Sequence, residues 1–344
     1  MKIKINQKIN FDTNKRPLIV AEISGNHNGS KRNFLNHIKQ AAINGADLIK
    51  IQTYEPKDIT LNSKKKDFMI KEGIWKNKNL FDLYKNAHTP FKWHEDAFKL
   101  SKKLRIPLFS SPFSSRGVAL LEKLNVPIYK LASLEITDFN LINEIAKTKK
   151  PIIVSTGCAT INEIKECVKL IHKYHKKIIL LHSVTKYPTK DDEANILKIL
   201  KLKKIFKNTM IGLSDHTKNI YSSIAATSLG IVLVEKHFII SKKMKSVDVE
   251  FSIDEKELKS LRLFTDKTFM MLNSKIKNNI PNRQFRRSLF AFKDISKGGV
   301  IKKSDLISLR PKIGLCSSNF FKIIGKKIKR DIKKNEPIYE KDIS

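Results

Sequence analysis

Eight short apolar, mostly β-branched runs recur along this chain, each bounded by turn signals, and that recurrence limits the fold more than anything else in the sequence. They are LIVAEI (18–23), LIKIQ (48–52), PLFSSP (107–112), YKLAS (129–133), PIIVST (151–156), IILLHSV (178–184), MIGLSD (210–215) and IVLVEKHF (231–238). Between them lie helical patterns such as NFLNHIKQAAING, FNLINEIAKT, INEIKECVKLIHKY and NIYSSIAATSLG, each closed by a turn or a Pro. Strand and helix in strict alternation, eight times over, predict a parallel (β/α)8 barrel of the TIM type. An open doubly wound sheet is the competing architecture. It would call for a GxGxxG turn after the first strand, and the chain has GNHNGS there.

The pattern fades near residue 275, which sets a barrel over 1–275 and a polar linker over 276–286. A small β-rich module follows over 287–344, where DISKGGVIKKSDLI from Asp294 and DIKKNEPIYEKDI from Asp331 form a weak internal repeat. Both share D-I-x-K, an Ile seven residues after the Asp, and a later Asp followed by Leu or Ile.

Composition narrows the class. The formal charge is +35, but only ten of the 68 basic residues are Arg, and the lysines are scattered along the length. Nucleic-acid binding favours clustered Arg forks, so no nucleic-acid partner is expected; the charge instead suits anionic small molecules. No apolar run approaches a membrane span, and residues 1–12 show no signal-peptide core. Cys158, Cys167 and Cys316 form no CxxC pair and read as reduced thiols, which predicts a cytoplasmic protein.

In such a barrel the reactive groups sit at the C-terminal strand ends. Here those ends are polar throughout: Glu22, Asn26 and His27; Lys50 and Gln52; Ser110 and Ser111; Lys130 and Ser133; Ser155 and Thr156; Ser183; Ser214, Asp215 and His216; Glu235, Lys236 and His237. Helix N-capping would explain Ser155 or Ser214 singly. It does not explain lysines and histidines gathered at one mouth. His216 and His237 end consecutive strands, and two neutral imidazoles side by side suit a divalent ion such as Mn²⁺, Zn²⁺ or Co²⁺. Lys50 and Lys130, among hydroxyls, suit a phosphate. Glu22 is a candidate for proton handling, or an ion-pair partner for Lys50. Metal-assisted chemistry on a phosphorylated small molecule is the reading these residues carry, and carbon–carbon bond formation fits it.

AEISGNHNGS, IKIQTY, YKLAS, STGCAT, GLSDHT and EKHF, in this order, resemble the sialic acid synthase family, and the tail with SLRPKIGL resembles that family's C-terminal SAF (antifreeze-like) domain. The excursion of roughly 55 residues between the second and third strands contains TPFKWHEDAF and looks like the pseudaminic acid synthase branch. The resemblance implies condensation of phosphoenolpyruvate with 2,4-diacetamido-2,4,6-trideoxy-L-altrose, releasing phosphate through C–O cleavage. It implies a divalent cofactor on His216 and His237, Mn²⁺ foremost with Mg²⁺ or Co²⁺ as substitutes. Lys50, Lys130, Ser133, Ser155 and Ser214 match phosphoenolpyruvate-contacting positions, Gln52 and Tyr187 match other site-lining positions, and Glu22 and Asp248 match acidic ones. Arg310 matches an arginine that reaches the neighbouring subunit's site in a homodimer. Departures fall at His182–Lys186, at Val249 after Asp248, and at Lys312-Ile313 after the Arg-Pro pair. Alternatives are an N-acetylneuraminate or legionaminate synthase and, further off, a non-catalytic sugar-binding protein.

Overall fold

In the computed structural model, residues 1–7, 9–274 and 283–344 are described, and they divide into two compact units, 1–273 and 274–344. Most of the expected linker (276–282) lies outside the described residues.

The first unit is the expected barrel. Its strands are β1 (Leu18–Glu22), β2 (Leu48–Thr53), β3 (Leu108–Pro112), β4 (Tyr129–Leu131), β5 (Ile152–Ser155), β6 (Ile178–Ser183), β7 (Met210–Asp215) and β8 (Leu233–His237). Every neighbour pairs in parallel and β8 closes on β1. Strands buried on both faces need near-continuous Val, Ile and Leu, and this is what IIVS and IILL supply. Gly212 is required by packing: a Cβ there would lie 2.6 Å from Leu181 Cδ2 and 2.7 Å from the Leu233 carbonyl oxygen.

The helices around the barrel carry their own start signals. Ser30, Ser114, Asp138 and Thr160 cap the helices Lys31–Ile43, Ser115–Lys123, Phe139–Lys147 and Ile161–His172, and Thr160 with Glu163 forms a capping box. Ser155 and Ser214 cap nothing; both belong to the barrel mouth.

Register decides what meets at that mouth. Closure of the barrel sets His237 against Glu22, Glu22 against Lys50, and Ser214 against Glu235. Side chains alternate along a strand, so Ser214 and Glu235 face the barrel interior while Asp215 and Lys236 face the helices. The excursion after β2 is a folded element. Met69 bridges Asn79 antiparallel, Asn79 caps the helix Leu80–Ala87, and the Asn79 amide donates to the Ser63 carbonyl at 2.7 Å.

The second unit is built on its internal repeat. A two-stranded antiparallel pair, Ser288–Ala291 with Leu306–Leu309, joins a set of isolated bridges. Ile295 and Ile332, the Ile of each D-I, exchange two backbone hydrogen bonds of 2.9 Å. Asp294 accepts from the Lys334 amide and Asp331 from the Lys297 amide, both at 2.7 Å. Asp305 pairs with Lys293 at 2.9 Å as Asp342 pairs with Arg330 at 2.8 Å. The two arms are therefore related by a pseudo-twofold, and Ile295, Ile301, Leu306, Ile332, Ile338 and Ile343 make a common core.

Candidate functional site

The interior polar residues form one continuous chain of contacts. Lys130 donates to Ser155 Oγ at 2.7 Å and lies 3.8 Å from Glu235; Lys50 lies 3.0 Å from Glu235 and 2.7 Å from Glu22. Ser214 donates to Glu235 at 2.9 Å, and its Oγ stands 3.4 Å from His216 Nε2. The His216 and His237 rings are 5.7 Å apart, and His237 Nδ1 is 3.9 Å from Asp248 Oδ2. Burial alone would raise the Glu235 carboxyl, but Lys130 and Lys50 outweigh it and hold the group at about 2, while burial draws the Lys50 ammonium down to about 7 against the pull of Glu235. Glu235, a polar strand-end residue to which the sequence assigns no role, stands two residues before His237, which puts both on the inward face.

The imidazoles fit a metal ion. His216 donates its Nδ1–H to the Val184 carbonyl at 2.8 Å, which fixes the tautomer and leaves Nε2 as the free lone pair. His237 Nδ1 is buried with no hydrogen-bond partner. Burial pushes His216 down to about 4 and His237 well below its ordinary value, so both rings are neutral at pH 7, as ligands must be. Tyr187 packs at a tilt against His216 with ring centres 4.4 Å apart, and Phe251 meets His237 edge to face at 4.7 Å, holding the two rings in place. Among the described residues no group of three or more His, Cys, Asp and Glu is arranged to hold a cation, so the protein's donors here are the pair itself.

A cradle of hydroxyls flanks the lysines. A Cβ on Gly157 would lie 2.4 Å from Thr185 Oγ1, 2.7 Å from Ser183 Oγ and 3.0 Å from Ser133 Oγ, so only glycine leaves this space open. The Cys158 amide donates to Ser133 Oγ at 3.0 Å, whereas Ser183 Oγ is buried without a partner. Thr185 belongs to the unusual 182–186 segment, and it still brings a hydroxyl to the cradle. An unpaired buried hydroxyl with two more hydroxyls around it suits an oxyanion with several acceptor atoms.

A cavity of about 340 Å³ opens above. Gln52, Ser133, Tyr187, His237 and Asp248 line it, joined by Glu135. Glu22 does not line it and serves as the ion-pair partner of Lys50. Glu135, which sequence reasoning passed over, follows β4 in the turn Ser133–Glu135; burial raises it to about 7, and its Oε2 has no hydrogen-bond partner. Asp248 accepts from the Gly25 amide at 3.2 Å, which ties the loop after β8 to the turn after β1. Arg310 lies in the second unit, exposed, just after the strand Leu306–Leu309.

Comparison with known proteins adds to this geometry. The NeuB family profile matches residues 37–277, and the SAF domain profile matches residues 286–344. Pseudaminic acid synthase of Helicobacter pylori is 41% identical over 336 residues, 95% of this chain and 98% of that one. N,N'-diacetyllegionaminic acid synthase of Campylobacter jejuni is 34% identical, covering 95% of this chain and 100% of that one. The crystal structure of N-acetylneuraminic acid synthetase from Leptospira borgpetersenii, in complex with citrate, superposes with a TM-score of 0.73 at 28% identity, over 81% of this chain and 93% of that chain.

Proposed function

The chain belongs to the NeuB family, and from that premise we propose that it condenses phosphoenolpyruvate with 2,4-diacetamido-2,4,6-trideoxy-L-altrose to give pseudaminic acid and phosphate. It is a phosphoenolpyruvate-dependent synthase, and the higher identity to the pseudaminic than to the legionaminic relative supports the sugar. The observation that carries the chemistry is a set of buried polar atoms left without partners at one mouth: Ser183 Oγ, Glu235 Oε2, His237 Nδ1 and Glu135 Oε2. Such atoms cost stability unless a ligand satisfies them.

Lys50, Lys130, Ser133, Ser155, Ser183 and Ser214 bind phosphoenolpyruvate, with its phosphate in the hydroxyl cradle. His216 and His237 hold a divalent cation, Mn²⁺ in our reading with Mg²⁺ or Co²⁺ as substitutes, and it supplies Lewis-acid polarisation of the sugar's aldehyde oxygen. Tyr187, Gln52 and Asp248 orient the open-chain sugar so that its aldehyde carbon faces C3 of the enol. The new bond forms between these two carbons and leaves an oxocarbenium at C2. Water adds there, and the C2–O bond to phosphate then breaks. We assign proton transfer from that water to Glu135, whose carboxyl is poised near neutrality and lines the cavity, and leave Glu22 to fix Lys50. In the homodimer we propose, Arg310 offers its fork to an acetamido carbonyl in the neighbouring subunit. A cytoplasmic location agrees with the free cysteines, and no helix among the described residues is long and apolar enough to cross a membrane.

The test is phosphate release and product mass with Mn²⁺, phosphoenolpyruvate and a panel of acetamido sugars. Turnover with the diacetamido-trideoxy sugar is expected. His216→Ala lowers kcat/KM by about 100-fold or more, because a cation on a carbonyl oxygen is worth several kcal/mol. Turnover only with N-acetylmannosamine overturns the choice of sugar. Sugar binding with no metal-dependent turnover overturns the enzyme.

A further inference from the structure

The cavity has two unlike sides. Toward the barrel it is polar, with Gln52, Ser133, Glu135, His237 and Asp248. Away from the barrel it is walled by Ile59, Ile70, Leu80, Leu83 and Tyr84 of the excursion after β2, with Phe113 from the β3 end. Those side chains, the Tyr84 hydroxyl aside, offer no hydrogen-bonding group to a sugar. The wall is also held shut. Trp75 donates its indole N–H to the Val247 carbonyl at 3.1 Å, and its ring packs 5.7 Å from Tyr187 and 6.1 Å from Phe251. The excursion is thereby fastened to the loop after β8, over the two imidazoles.

With its aldehyde at the His237 end of the cavity, an extended sugar chain runs toward this apolar wall. An ordinary hexose would set a terminal hydroxyl against Ile59, Ile70 and Leu83, which offer it no partner; a chain ending in methyl would not. We propose that Ile59, Ile70 and Leu83 form the specificity pocket for a methyl-terminated (6-deoxy) sugar chain, with Trp75 positioning the excursion that carries them. This rests on the synthase reading above and goes further, since it names the residues that choose the sugar. The cavity volume of about 340 Å³ is within the range of small-molecule sites.

The experiment compares kcat/KM for the 2,4-diacetamido-2,4,6-trideoxy sugar with that for its counterpart bearing a 6-hydroxyl, in the wild type and in Ile59→Thr and Ile70→Thr. An apolar pocket rejects an added hydroxyl by about 10- to 100-fold, so the wild type prefers the deoxy sugar by that factor. Either variant, by supplying a hydroxyl partner, lowers the preference about tenfold while the KM for phosphoenolpyruvate stays unchanged. Both positions are partly exposed, so their substitution spares the fold; Leu83→Asn is the buried comparison. Equal wild-type rates for the two sugars overturn the pocket, as do variants that slow both sugars alike. Those results leave the synthase reading standing. Absence of phosphate release with every acetamido sugar overturns that reading and this one together.

Discussion

His216 shows how much one residue's surroundings decide. The same ring, exposed, would be half protonated near pH 6.5; here it is buried, tethered through Nδ1 to Val184 and neutral. Glu135 is the complementary case, since burial raises its carboxyl to about 7. Below that pH it is protonated and unable to accept a proton; above it the carboxylate is the base. The wild-type kcat is therefore expected to rise as pH increases through about 7, and Glu135→Gln to lose that rise along with most of its activity. A pH–rate profile of both proteins checks this. Unchanged curvature in the Gln variant would remove Glu135 from the chemistry. Such residues differ in how plainly the sequence announces them. His216 and His237 could be read because they stand at strand ends with inward parity. Glu135 sits past its strand in a short turn with no periodicity, and its significance comes from burial that only tertiary packing creates.

At the scale of elements, the barrel strands were readable because β-branched runs keep the same meaning wherever they are placed. All eight expected segments overlap the observed strands, with ends differing by a residue or two where YKLAS and IVLVEKHF pass into turns. The second unit was readable only as repetition. Its strands are four residues long, and the contacts that define it cross from one arm to the other, Ile295 with Ile332 and Asp294 with the Lys334 amide. Local pattern carries no record of such pairing. The pseudo-twofold makes a specific prediction. Ile295→Ala and Ile332→Ala occupy matched, buried positions, and each should destabilise the second unit by about 2–5 kcal/mol, in similar degree. Hydrogen exchange of the backbone amides over 288–344 in the full chain measures it. A large effect from only one of the pair would show that the arms are not energetically equivalent.

Over the whole molecule, charge is the dominant feature. Lys64, Lys65, Lys66 and Lys71 on the excursion after β2, and Lys242, Lys243 and Lys245 on the loop after β8, are all exposed on elements that build the cavity. These seven lysines, in a chain of net charge +35, stand on the elements around the cavity that an anionic substrate has to find. Raising ionic strength from about 0.01 M to about 0.15 M shortens the screening length from about 30 Å to about 8 Å. The kcat/KM for phosphoenolpyruvate is expected to fall about tenfold or more over that range with kcat little changed. Stopped-flow or steady-state titrations at fixed pH decide it, and a flat response would mean that the lysines do not guide the substrate.

Closure of the cylinder between its first and last strands has a temporal meaning for the cell. His237 stands beside Glu22 only when segments more than two hundred positions apart in the chain have come together. While the ribosome is still making the polypeptide, Lys50 and Lys130 exist but their counter-charge at Glu235 and both nitrogen donors do not. A cation held as proposed by His216 and His237 would therefore meet both ligands only after residue 237 has been made and the last strand has closed on the first.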